Sequence, residues 1–248
     1  MIRPAILYAF PAAPGSRTPA EPPRAAVLLH GLGRTARAMH PLARDLSRLG
    51  FDVLAVDYPS RSADVDTLTS LVFRGVFPHP AIAGAAWVAA VTHSLGGILL
   101  RAQLERAPWP ALRRAVMFGP PNDGSEAADL LSGWRIGRRM LGPSLMDMRT
   151  APESRVHLLP AWPAHVPLKI IAGTRSLDPW FSACFRGSHD GKVAADRTRL
   201  AGAAEYAEIP VAHPFLMTHP RARRMAAEFL AAESNPLAAH PGTDSMSP

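Results

Sequence analysis

At residues 86–92 an apolar run that reads as a buried strand passes through His93 and Ser94 into Leu95-Gly96-Gly97, where a helical pattern over 95–106 begins without a loop. A turn this sharp brings strand and helix very close, so it calls for small residues two before and two after Ser94. Gly96 meets that demand and Gly97 extends it, while Thr92 meets it only in part. The same alternation recurs along the chain. Buried strands are predicted at 25–29, 51–56, 115–118, 168–172 and 205–211. A helix over 38–49 carries Leu42, Leu46 and Leu49 on one face and stops at Gly50. Ser62 or Asp64 can cap another whose inward face holds Leu68, Leu71 and Val72, and Pro220 suits the first turn of a last helix over 220–232. Strands alternating with helices predict βαβ units, hence an α/β fold with a mostly parallel central sheet and helices on both faces.

The ends and one internal stretch break the pattern. Residues 1–24, rich in Pro, Ala and Gly from Pro11 onward, read as an irregular lead-in, and 25–232 as a single domain. Within it, 120–167 holds Trp134, Met140, Leu141, Met146 and Trp162 among glycines and prolines without a clean strand, as an insertion or lid over one end of the sheet would. The polar tail 233–248 reads as flexible.

Bulk properties narrow the partners. Nearly half of the 248 residues, 48%, are apolar and 19% are charged, which suits a globular chain with a real core. The net charge of +7 is almost all arginine, with Lys169 and Lys192 the only lysines. The arginines are scattered, with modest clusters at Arg135, Arg138, Arg139 and at Arg221, Arg223, Arg224, so they predict a solvated basic surface and no nucleic-acid partner. Cys184 stands alone, which excludes an intrachain disulfide and a cysteine metal site. No apolar run approaches the ~18 residues of a membrane helix, and the start of the chain lacks a signal-peptide pattern. A cytoplasmic protein without a stable membrane anchor is the expectation.

A serine at such a turn invites a chemical reading. The turn lifts the Ser94 hydroxyl clear, and the helix behind it points free N–H groups at whatever reacts there. Alone, Ser-Leu-Gly-Gly could be a glycine-rich turn that merely packs a helix onto a sheet. A second signal upstream, Val27-Leu28-Leu29-His30-Gly31-Leu32-Gly33, argues otherwise. A tetrahedral intermediate of acyl transfer needs preplaced donors for its negative oxygen, each worth roughly 10²–10³ in rate. The N–H of Leu95 and that of Leu32, in the loop after the first buried strand, can supply two. His30 is expected to shape this loop by hydrogen bonding and to take no part in proton transfer.

These motifs, with Pro120-Pro121-Asn122-Asp123-Gly124-Ser125, Ile171-Ala172-Gly173-Thr174-Arg175-Ser176, Asp190-Gly191-Lys192-Val193 and Val211-Ala212-His213-Pro214, make the sequence resemble bacterial lipases and esterases of the α/β-hydrolase fold over residues 24–230. Thr92 departs from the commonest elbow glycine. The resemblance implies a nucleophile, an acid and a base in the chain order Ser, Asp or Glu, His. Of ten histidines, His213 is placed best, after the last strand and before the final helix; His157, His165, His189 and His219 lack that position. Asp190, in a tight turn of the form Asp-Gly-x-Val, matches the acid position. Asp178 is the runner-up, and Asp123 a third option because some relatives take the acid from one strand earlier.

The implied activity is hydrolysis of a carboxylic ester through an acyl-Ser94 intermediate, with no metal or organic cofactor. Leu32, His93, Trp134, Phe215 and Leu216 are the expected substrate contacts, and the partner a small-molecule acyl ester or lipid with a hydrophobic acyl group. The basic stretch Trp134 to Met140 could touch a lipid surface as an amphipathic lid, or could equally be a solvated helix. The same machinery could cleave a thioester or amide or transfer the acyl group, and the fold can also serve as a binding module.

Overall fold

The computed structural model describes residues 2–178 and 182–232. Its core is a seven-stranded sheet of β1 (Ile6–Phe10), β2 (Arg24–Leu29), β3 (Asp52–Asp57), β4 (Trp87–His93), β5 (Leu112–Phe118), β6 (Leu168–Gly173) and β7 (Glu205–Ile209). The spatial order is β1-β3-β2-β4-β5-β6-β7. Every neighbouring pair is parallel except β1 with β3. Among the described residues the helices are α1 (His40–Arg48), α2 (Val65–Val76), α3 (Pro80–Ala83), α4 (Leu95–Arg106), α5 (Glu126–Gly133), α6 (Arg135–Leu141), α7 (Ser144–Asp147), α8 (Arg155–Leu158) and α9 (Pro220–Ala231).

Side-chain alternation assigns each helix its face. In β2, Ala25, Val27 and Leu29 point to the side covered by α2 and α4. Ala26 and Leu28 point to the side covered by α1 and α9. With both faces buried, a strand shows an unbroken apolar run instead of alternation, which is why β2 and β4 read as they do in the sequence. α1 buries Leu42, Ala43 and Leu46 and follows a short 3-10 turn at Ala36–Met39, so the periodic stretch 38–49 is two elements. α2 starts at Asp64, whose carboxylate accepts the N–H of Thr67 at 2.8 Å. Its buried face is Leu68, Val72, Phe73 and Val76, with Leu71 at the margin.

The irregular lead-in needs correction. Ile6–Phe10 is the antiparallel edge strand β1, with Ile6 opposite Asp57 and Phe10 opposite Val53. Ile6 and Tyr8 are exposed while Leu7 and Phe10 pack on the core, one on each face of the sheet. A short edge strand buries too little to announce itself. Residues 11–23 form neither helix nor strand, and they are tied down where Ala13 N–H reaches the Ser47 carbonyl at 2.9 Å. The tail 233–248 lies outside the described residues.

The stretch 120–167 carries no strand and four short helices, α5 to α8. It is stitched to the loop after β3. Ser144 Oγ donates to the Ser60 carbonyl at 2.9 Å, and the Asp147 carboxylate accepts the N–H of Val65 at 2.7 Å. Beneath it, the buried guanidinium of Arg101 on α4 donates to the carbonyls of Asn122 and Leu159 at 3.1 and 3.2 Å.

Candidate active site

Ser94 sits at the carboxyl end of β4 with φ 52° and ψ −121°, the only non-glycine residue at positive φ among those described. Such a conformation costs on the order of 1–3 kcal/mol and persists only where the surroundings enforce it. Here the Ser94 N–H donates to the Phe118 carbonyl and its own carbonyl accepts from Gly97, both at 2.9 Å. Space enforces the turn as well. A Cβ on Gly96 would stand 2.6 Å from the Leu29 carbonyl oxygen. One on Gly97 would stand 3.3 Å from Thr92 Oγ1, so the second glycine leaves room for the larger Thr92.

The loop after β2 closes over this turn. A Cβ on Gly31 would lie 2.7 Å from His93 Nδ1 and 3.0 Å from Ser94 Cβ, so only glycine lets the loop approach. His30 anchors it from beneath. Its Nε2 accepts the N–H of Tyr58 at 3.2 Å, its Nδ1–H donates to the Gly31 carbonyl at 2.8 Å, and its ring stacks on that of Tyr58 with centroids 4.1 Å apart. Burial pushes the His30 pKa down to about 4, so the ring is neutral near pH 7. Leu32, like Ser94, lines the cavity. Leu95 opens α4, so its N–H is among those that intrahelical bonding leaves over.

Asp190 and His213 meet at the ends of β6 and β7. His213 Nδ1 stands 2.6 Å from Asp190 Oδ2, and the His213 N–H donates to the Asp190 carbonyl at 3.0 Å. Asp190 is 1% exposed, and its other oxygen accepts the N–H groups of Lys192 and Val193 at 2.9 and 2.8 Å. Two glycines make the space, and sequence reasoning gave neither a role. A Cβ on Gly119 would stand 3.0 Å from Asp190 Oδ2 and 3.1 Å from His213 Nδ1, and one on Gly173 2.7 Å from Asp190 Cβ. The competing acids are engaged elsewhere. Asp178 pairs with Lys192 at 2.8 Å, and Asp123 with Arg197 at 2.9 Å.

His93 is buried, and its Nε2–H donates to the His213 carbonyl at 3.0 Å. Burial first, then the neighbouring His213, hold its pKa well below the usual histidine range. It therefore ties β4 to the His213 backbone as a neutral donor. Of the other histidines, His157 lies 3.4 Å from Asp123 and His189 stacks on Phe185.

Ser94, His93, His213 and Leu32 share a cavity of about 400 Å³. Ala127, Ala128 and Leu131 of α5, Leu141 of α6, Leu145 of α7 and Met148 form its apolar wall; Arg34, Asp178 and Lys192 also line it. Three expected contacts fall outside. Trp134, at the joint of α5 and α6, is 59% exposed, and Phe215 is 52% exposed. Leu216 is fully buried in the core, because the 3-10 turn at His213–Phe215 stacks residue 216 one turn beneath His213. The sequence signal for the true apolar wall is weak: single leucines and alanines on short helices. Among the described residues no helix is long and apolar enough to cross a membrane.

No family profile and no curated protein matches the sequence. Solved structures do. Lipase BlEst2 from Bacillus licheniformis in its propeptide form superposes on 93% of this chain with TM-score 0.70 at 20% identity, and this chain spans 54% of that one. The mature form of BlEst2 matches 90% of this chain and 96% of its own at 19% identity, with TM-score 0.66. Carboxylesterase CesB from Bacillus subtilis matches 91% of this chain and 87% of its own at 16% identity, with TM-score 0.55. At such identities the likeness speaks for the architecture, and with the mostly parallel sheet and its two helical layers it shows that this chain has the α/β-hydrolase fold.

Proposed function

We propose that the protein hydrolyses carboxylic esters of hydrophobic acyl groups through an acyl-Ser94 intermediate. One observation carries the reading: the 2.6 Å bond to buried Asp190 from His213, which lines the same cavity as the strained Ser94. His213 Nε2 takes the Ser94 hydroxyl proton as Oγ attacks the ester carbonyl. Asp190 accepts from Nδ1–H, fixes that tautomer and stabilises the imidazolium without taking the proton. The N–H groups of Leu32 and Leu95 receive the oxyanion, each worth on the order of 10²–10³ in rate. The alcohol leaves with the proton held by His213, and water attacks the acyl-enzyme by the same route. His93, bonded to the His213 carbonyl, acts as a positioning residue.

The ester preference is supported by the apolar wall of α5 to α7 and by the lipase and carboxylesterase neighbours. A fluorophosphonate probe tests the nucleophile: wild type should label and Ser94→Ala should not, and equal labelling of the two sinks the assignment. Asp190→Asn should collapse ester hydrolysis while Asp178→Asn retains most of it; the reverse order would transfer the acid's role to Asp178.

A further inference from the structure

The cavity's charge is not balanced. Its lining includes three side chains from the permanently charged residue types: Arg34, Asp178 and Lys192. Asp178 and Lys192 neutralise each other through their 2.8 Å ion pair. Arg34 has no carboxylate within ion-pair distance among the described residues. Asp57, the carboxylate bonded to the same loop, is already held by the Ala36 N–H and by Arg3, each at 3.0 Å. The position of Arg34 is built. Its N–H donates to the Gly31 carbonyl at 3.2 Å, so one tight turn carries both Leu32, half-buried, and Arg34, exposed, into the cavity's lining. Its charge reaches inward too, being one of those that disfavour protonation of buried His93.

We propose that Arg34 is the binding site for an anionic group, a carboxylate or a phosphate, on the alcohol portion of the substrate. This rests on the ester-hydrolase reading. The apolar wall of α5 to α7 takes the acyl chain, so the alcohol faces the exposed side where Arg34 stands. There a guanidinium offers paired N–H donors that match two oxygens of a carboxylate or phosphate, and an unpaired charge in a cleft raises the local concentration of an anion. The substrate class is then an apolar acyl group esterified to an acidic alcohol.

The test compares three butyrate esters of one phenol scaffold, bearing a para carboxylate, a para phosphate or a neutral para carboxamide. Comparing wild type with variants on each ester cancels the differing reactivity of the leaving groups. In Arg34→Gln the kcat/KM ratio of the anionic over the neutral ester should fall about tenfold, mostly through KM, and Arg34→Lys should keep part of it. Which anionic ester loses more tells carboxylate from phosphate. An unchanged ratio for both anions overturns the proposal. Binding separates this outcome from failure of the hydrolase reading. In Ser94→Ala, calorimetry with the butyramide of 4-aminobenzoate against that of 4-aminobenzamide reads the anion site without turnover. Preference for the carboxylate, lost on adding Arg34→Gln, supports the site even if no ester is cleaved, and equal binding overturns it.

Discussion

Gly119 shows how much of the site depends on one missing side chain. It sits at φ +51° just beyond β5, where a methyl group would press on both Asp190 Oδ2 and His213 Nδ1. Gly119→Ala therefore adds backbone strain and pushes apart the two groups whose spacing orients the proposed base. A misplacement of about 1 Å in such a pair can lower turnover about a hundredfold. The expected result is a loss of that order in kcat with KM little changed, and a fall of only a few degrees in the melting temperature. Steady-state kinetics and calorimetry on the purified variant read both. No sequence pattern marks this glycine, because its constraint comes from two residues far along the chain. Ser94 is legible for the opposite reason: strand, turn and helix are contiguous, so the demand for small residues falls within six positions. Asp190 and His213 stand between, placed by chain order and resemblance and then joined by the 2.6 Å contact. Phe215 and Leu216 fail as expected contacts because nearness in sequence to His213 says nothing about which way a 3-10 turn points them.

The elements divide in the same way. β2, β4 and α4 are plain in the sequence because both faces of the sheet are covered and their apolar runs are continuous. β1 escapes notice because it is short and on the edge. α5, α7 and α8 escape because none exceeds eight residues, so too few turns repeat for a period to emerge, whereas α6 falls on the basic stretch Trp134 to Met140 that the sequence marks out. Of these, α6 has the most distinctive surface. Leu141 lines the cavity, while Ile136 and Met140 are 71% and 61% exposed beside Arg135 and Arg139. Apolar side chains set among arginines at the cavity's edge suit contact with a lipid surface of opposite charge. The double replacement Ile136→Ser with Met140→Ser is expected to lower hydrolysis of an emulsified long-chain ester about tenfold more than hydrolysis of a soluble short-chain one. Parallel assays on the two substrates check it, and equal losses would leave α6 without a surface role.

At the scale of the whole molecule, His30 couples the loop after β2 to the stability of the sheet. It joins the end of β2 to the end of β3 through the Tyr58 N–H, and the Tyr58 hydroxyl donates back to the His30 carbonyl. The ring can accept from Tyr58 only while neutral, and burial holds its pKa near 4 in the folded protein. In the unfolded chain it titrates near the ordinary value of about 6.5. Between those two values the unfolded chain binds a proton that the folded one refuses, so acid favours unfolding. The stability that neutral His30 contributes is full above about pH 6.5 and is lost as pH falls toward 4, about 3 kcal/mol across the window. His93 and His40 are shifted in the same direction and steepen the slope. Carboxylates held low by partners, such as Asp66, add their own loss only nearer their ordinary range around pH 4. Urea unfolding from pH 7 to 4.5 should therefore show a steady fall in stability, and His30→Asn, though less stable at pH 7, should show a flatter one. A slope that the substitution leaves unchanged would mean that the ring is already protonated in the folded state, and that the Tyr58 N–H is satisfied by another acceptor.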